Sequence, residues 1–214
     1  MLITRNSEAL AVLSDPLRAP APVEAGAPRG TLAWLRGQVS RFASGAAHAE
    51  RRAAVTAVLD RLDPHVLRQA AARLRHEPPE RVAVLVLGAA LGVEDLETLA
   101  GQVAAAARGY LSGEADAEAD AAVAELIGRL PIAELTVLLQ AHAATGALLA
   151  AAAGRDLDEV LRDDPPVRVL RREGVEIDVP AANQDGPCLT FGYGPRACPG
   201  QPHARAIAEG WLSR

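Results

Sequence analysis

Phe191-Gly192-Tyr193-Gly194-Pro195-Arg196-Ala197-Cys198-Pro199-Gly200 is the stretch that decides how this chain is read. Three glycines surround one cysteine, an arginine stands two residues before it, and an alanine-rich helical run starts at Gln201-Pro202. Glycine permits positive φ and lets a flat ligand come close to the backbone. A cysteine just ahead of a helix, with Pro in the first turn, sits where unpaired N–H groups favour a negatively charged sulfur. Arg196 adds a forked cationic donor suited to a carboxylate. The pattern describes a loop that presents a thiolate. Its rival is a glycine-rich surface loop with an incidental buried cysteine.

Composition narrows the choices. A chain of 214 residues, half of them hydrophobic, can bury a proper core as a single domain over 1–214. The net charge of −5, the lack of a Lys/Arg block and the presence of only two each of Trp, Tyr and Phe argue against nucleic acid as a partner. No charge-free apolar run looks long enough to cross a bilayer, and Met1 to Arg5 has neither the basic head nor the apolar core of a signal peptide. The expectation is a soluble, cytoplasmic protein with no membrane partner. Cys188 and Cys198 are too few for a disulfide framework and wrongly spaced for a zinc knuckle, which fits a reducing compartment. Cys188 reads as a small buried hydrophobe or a bystander.

Abundant alanine favours helix almost throughout. An extended piece over 2–5 precedes a helix over 7–13 with Ser7 as N-cap, and Asp15-Pro16 stops it. Residues 17–30 carry Pro, Ala and Gly without an apolar stripe and read as loop, either a lid or a plain connector. Helices are expected over 46–62, 65–76, 79–93, 93–110, 115–130, 131–153 and 201–212, with a small sheet over 167–179 turning at Arg171 to Gly174.

Phe-x-x-Gly-x-Arg-x-Cys-x-Gly, met here by Phe191, Gly194, Arg196, Cys198 and Gly200, resembles the haem-binding loop of the cytochrome P-450 family. Other stretches resemble that family in the same order along the chain. Ile3-Thr4-Arg5 and the helix after it resemble the last strand of the N-terminal sheet and the B helix. His48-x-x-x-Arg52 resembles the C helix, and Ala141-x-x-x-Thr145 the I helix. Glu159-x-x-Arg162 before Pro165-Pro166 resembles the K helix. The J helices, the first strands and most of the meander are missing, so the implied fold is mainly α, a truncated cytochrome P-450-like fold with a small residual sheet.

The resemblance implies haem b (iron protoporphyrin IX) with Cys198 as the proximal thiolate ligand of the iron. It implies that His48, Arg52 and Arg196 reach the propionates, that Phe191 shields the sulfur, that Gly194 and Gly200 make room for the porphyrin, and that Ala141 lies at the haem, where a small residue leaves room for dioxygen. Thr145 would serve proton delivery. This chain departs from the I-helix pattern, with His142 where Gly is usual and Ala144 where an acid is usual. Three readings of His142 stay open: proton shuttle, iron ligand, or a structural histidine.

The function expected from the resemblance is that of a haem-thiolate oxidoreductase, monooxygenase or peroxide-using, acting on a small organic molecule in secondary-metabolite biosynthesis. A ferredoxin-type electron donor or peroxide would serve it, and a homodimer would cover exposed apolar faces. The alternative is a non-catalytic haem-binding sensor or partner protein.

Overall fold

The computed structural model describes residues 1–214 except 17, 19–22, 24–25, 115 and 214. Most of the loop expected over 17–30 therefore lies outside the described residues.

Helices account for most of the chain: α1 (Asn6–Ser14), α2 (Leu32–Gln38), α3 (Gly45–Leu59), α4 (Pro64–Arg73), α5 (Pro79–Ala90), α6 (Leu96–Tyr110), α7 (Ala117–Arg129), α8 (Ile132–Ala152), α9 (Leu157–Asp163), α10 (Val179–Ala182) and α11 (Gln201–Leu212). One device starts many of them. Asp63, Asp95, Asp116, Asp156 and Asp178 each accept a first-turn backbone N–H at the head of α4, α6, α7, α9 and α10, satisfying a donor that the helix itself cannot pair. Proline in the first turn of α4, α5, α10 and α11 adds a preset φ.

The centre is a bundle in which α4 lies along α11 and α5 along α8, with α6 and α7 layered outside. Glycine sets the two closest approaches. A Cβ on Gly210 would stand 2.1 Å from the Arg68 carbonyl oxygen, and one on Gly146 would stand 2.8 Å from the Glu80 Cα. α8 is buried along Leu135 to Leu139 and again at Leu148, Leu149 and Ala152. By length and composition it could cross a membrane, contrary to the expectation from sequence, and 56% of its most apolar window is buried inside the protein.

A three-stranded sheet of order β1-β3-β2 carries β1 (Leu2–Ile3) parallel to β3 (Val175–Asp178) and β2 (Val169–Arg172) antiparallel to it. Ile3, Ala9 and Leu13 thereby pack with Val175, Ile177, Val179 and Leu189 into a second small core. Two buried asparagines hold this region together, Asn6 tying the N-terminal segment to it and Asn183 tying α9 to the run after α10. Asn6 donates to the carbonyls of Ala182 and Pro187 at 2.7 and 2.9 Å. Asn183 donates to Leu161 and Arg162 carbonyls at 3.3 and 2.9 Å and accepts the Leu189 N–H at 2.7 Å.

Several expectations need correcting. The first helix is capped at Arg5 without a side-chain bond, so Ser7 is not its cap. α2 and a 3-10 turn at Ser40–Phe42 were not foreseen. Glu159 and Arg162 do not pair: Glu159 reaches Arg155 at 4.0 Å, and both Glu159 and Arg162 face solvent. What ties α9 to the run before Cys198 is Asn183, acting on the last carbonyls of α9.

Gly210→Ala is expected to lower unfolding free energy by about 1–3 kcal/mol, because backbone stands where the methyl must go. Gly128→Ala, in a helix with open space around it, should raise it by about 0.5–1 kcal/mol. Urea melts of the two variants should move in opposite directions. Asn183→Ala strands the buried Leu189 N–H and takes the donor from the Arg162 carbonyl, and should cost about 2 kcal/mol in the same assay.

Candidate functional site

Cys198 is carried by a double turn. The Gly192 N–H bonds to Leu189 O at 2.7 Å, the Ala197 N–H to Gly194 O at 3.0 Å, and the Cys198 N–H to Phe191 O at 2.7 Å. Gly192 and Gly194 have φ of +74° and +66°, which side-chain-bearing residues rarely adopt. At Gly194 a Cβ would also stand 2.8 Å from the Leu13 carbonyl oxygen, so α1 rests directly on the loop. Gly200 differs, with φ of −89°, and its use is proximity: it caps α11, and a Cβ there would stand 3.9 Å from the Cys198 sulfur. The Phe191 side chain packs against the main core.

The cysteine is open to solvent although protein surrounds most of its side chain. Burial pushes its pKa up, while the Gly200 N–H and the charges of Arg52 and Arg41 pull the other way.

Around it stands a ring of cations. Arg52, on α3, donates to Ala197 O, and Arg196 donates to Ala43 O at 2.8 Å. These two bonds lock the loop to α3 and the turn before it. His48, one turn before Arg52, is half-buried, and burial, Arg196 and Arg52 all push its pKa down. Arg196 is lowered by burial and by Arg52; Arg172 by burial, Arg196 and Arg41. Among the described residues no carboxylate balances this group. Like charges gathered in a partly desolvated place are unfavourable unless an anion joins them.

His48, Arg52, Arg196 and Cys198 are thus brought together. Arg172 and Arg41 belong to the same ring and were missed. Period-two alternation along β2 could have found Arg172, because it shares a face with Leu170 while Arg171 points out to Glu176. Arg41 lies in a turn with no periodic signal.

Thr145 is buried and Ala141 packs on the core. His142 turns toward α5 and α6, where it lines a cavity of about 350 Å³ with Glu80, Arg81, Val84, Glu97 and Ala100. No residue of the Cys198 loop lines that cavity. The His142 Nδ1 is buried without a hydrogen-bond partner, and burial lowers its pKa. Residues three apart differ by about 60° around a helix, so sharing a face with Thr145 was a loose inference. The close crossing at Gly146 draws the His142 side toward Pro79 and Glu80.

The donor set fits one kind of prosthetic group. Among the described residues no cluster of three or more His, Cys, Asp or Glu could hold a metal ion. A metal at Cys198 therefore needs a group that brings most of its own ligands, presents a flat face to a glycine loop and carries anions for the arginine ring. A porphyrin with two propionates has those properties.

No family model and no curated protein matches the chain. Solved structures do. A thermophilic cytochrome P450 from Sulfolobus tokodaii aligns with TM-score 0.69 at 16% identity, over 99% of this chain and 84% of that one. Substrate-free CYP109E1 from Bacillus megaterium aligns with TM-score 0.74 at 17% identity, over 99% and 83%. P450BioI, solved in complex with an acyl carrier protein ligated to hexadec-9Z-enoic acid, aligns with TM-score 0.65 at 14% identity, over 99% and 83%. At these identities the likeness concerns architecture alone, and its conclusion is that this chain has a short form of the cytochrome P450 fold, mainly α with one small sheet.

Proposed function

We propose that the chain is a haem-thiolate oxidoreductase acting on a small organic molecule, with Cys198 as the one protein ligand of the iron. The observation that carries this reading is an accessible cysteine set within four arginines and a histidine, with no carboxylate among the described residues to balance them. Bound haem supplies redox-active iron whose reactivity a thiolate raises by donating electron density. Arg172, Arg52 and Arg196 would donate charge-assisted hydrogen bonds to the propionates. Gly192 and Gly194 keep the loop's backbone tight beneath the ring, and the Gly200 N–H steadies the sulfur as an anion.

On the distal side the chain has little of its own for moving protons. Ala144 is an exposed methyl and His142 faces another cavity, which leaves the Thr145 hydroxyl. This favours peroxide, which brings oxygen at the two-electron-reduced level, over dioxygen delivered with a ferredoxin-type donor. The same observation supports a second reading, a haem protein that binds without turnover. Service in secondary-metabolite synthesis belongs to the first reading.

Haem titration of the purified chain tests the assignment. Arg172→Ala should weaken haem binding about 10–100-fold, the worth of a charged hydrogen bond. With haem dimethyl ester, which has no propionate charge, wild type and variant should bind alike. A variant that weakens both ligands equally would mean that Arg172 serves the fold and not the propionate. Peroxide added to the loaded protein should convert small organic acids or aromatics. Bleaching of the haem with no product from any of them would leave the non-catalytic reading.

A further inference from the structure

Between α5, α6 and α8 lies the cavity of about 350 Å³ that His142 lines, and the haem-thiolate reading gives it no task. Its size is at the lower end of the range that small-molecule sites occupy. Val84, Ala100 and Ala104 give it apolar walls of short side chains. Glu80, Glu97 and Gly101 are exposed and set its mouth at the surface. The wall between α5 and α8 is fixed in place. Gly146, one turn after His142, has no side chain, and a Cβ there would stand 2.8 Å from the Glu80 Cα, so the two helices meet at backbone distance beside the cavity.

Two polar groups of this cavity are left over once the chain's own pairs are made. Arg81 is engaged twice, by Glu77 at 3.2 Å and by Glu97 at 2.6 Å. Among the described residues the Glu80 carboxylate has no such partner, so the charge at the mouth is negative on balance. His142 is the other. Its Nδ1 is buried without a hydrogen-bond partner, and among the described residues no N–H or O–H donates to the ring. Burial lowers the pKa of the ring and keeps it neutral, which leaves one N–H and one bare nitrogen. The Glu80 backbone carbonyl draws the N–H to its own side, so the other nitrogen is an acceptor. Buried polar groups without partners are uncommon in native proteins. An imidazole with an unmet acceptor and an unpaired carboxylate at one cavity are complementary to a single kind of group, a cation that carries N–H.

We infer that this cavity binds a small apolar amine in its ammonium form, with the His142 imidazole accepting one N–H, the Glu80 carboxylate as counter-ion, and the ligand's body against Val84, Ala100 and Ala104. The site is separate from the thiolate site, since no residue of the Cys198 loop lines it. It goes beyond the haem-thiolate reading and does not rest on it.

Calorimetric titration of the full chain, with and without added haem, should compare 2-phenylethylamine, 2-phenylethanol and 3-phenylpropanoate, similar apolar bodies under three head groups. The amine should bind about five to ten times more tightly than the alcohol, as a charged hydrogen bond at a partly exposed site implies, and the carboxylate should bind more weakly than either. His142→Leu should lower the amine's affinity severalfold. Glu80→Gln, at an exposed position, should bring amine and alcohol to nearly equal affinity while the melting temperature stays nearly unchanged. In the haem-loaded protein, binding in this cavity should leave the Soret band where it is, whereas an amine on the iron would shift it. Equal affinity for the three ligands, a preference that survives both substitutions, or amine binding seen only as a Soret shift would overturn the inference. Failure of the chain to take up haem would sink the proposed function instead, and the haem-free titration would still decide this one.

Discussion

Four guanidinium groups and an imidazole are kept within one another's field around a single thiol, with no carboxylate among the described residues to balance them. Such an arrangement is costly: burial first, and the neighbouring charges after it, make the charged states of His48, Arg172 and Arg196 harder to sustain and lower their pKa. Folding has to supply the difference. The architecture does so by tying the cationic side chains to backbone: Arg52 to Ala197 O and Arg196 to Ala43 O. Each bond also crosses between the cysteine loop and α3 or the turn before it, so positioning of the loop and assembly of the positive ring are one event.

The rest of the fold serves that event. Aspartate caps set where helices begin, and glycine at 146 and 210 lets α8 and α11 approach their neighbours to backbone contact. The bundle then offers α11 as a support that begins three residues after Cys198. The small sheet and Asn6 hold the N-terminal segment against the run before the loop, with Leu13 O of α1 against Gly194. Charge repulsion at the site is thus opposed by apolar burial and buried amide bonds placed away from it, where they need not compromise the access of a ligand.

Much of this was legible in the chain's own pattern. Helix starts at Pro79 and Gln201, and within one residue of Pro64, follow from Pro and apolar spacing, while the strand turn is tighter than expected, at Glu173-Gly174, with Arg171 and Arg172 in β2. The loop geometry followed from glycine placement, and His48 with Arg52 from their separation by one helical turn. Side-chain direction was harder to read. His142 shares Thr145's half of the helix on paper, but the local crossing at Gly146 decides which neighbour it meets, and that is a property of packing. Glu159 and Arg162 have the right spacing to pair, yet solvent on both removes the incentive, and Asn183 takes over the connection through carbonyls that no sequence pattern marks. Arg172 was hidden by its neighbour Arg171, since two adjacent arginines on a strand look alike until one asks which of them faces inward.

The central claim is that the Cys198 sulfur meets iron as a thiolate inside the arginine ring. Its most direct measurement is the absorption spectrum of the haem-loaded, reduced protein under carbon monoxide, with Cys198→Ala beside it. A strongly red-shifted Soret band in the wild type that is lost in the variant is the predicted result. A Soret band at the position of histidine-ligated or unligated haem in both proteins would contradict the account.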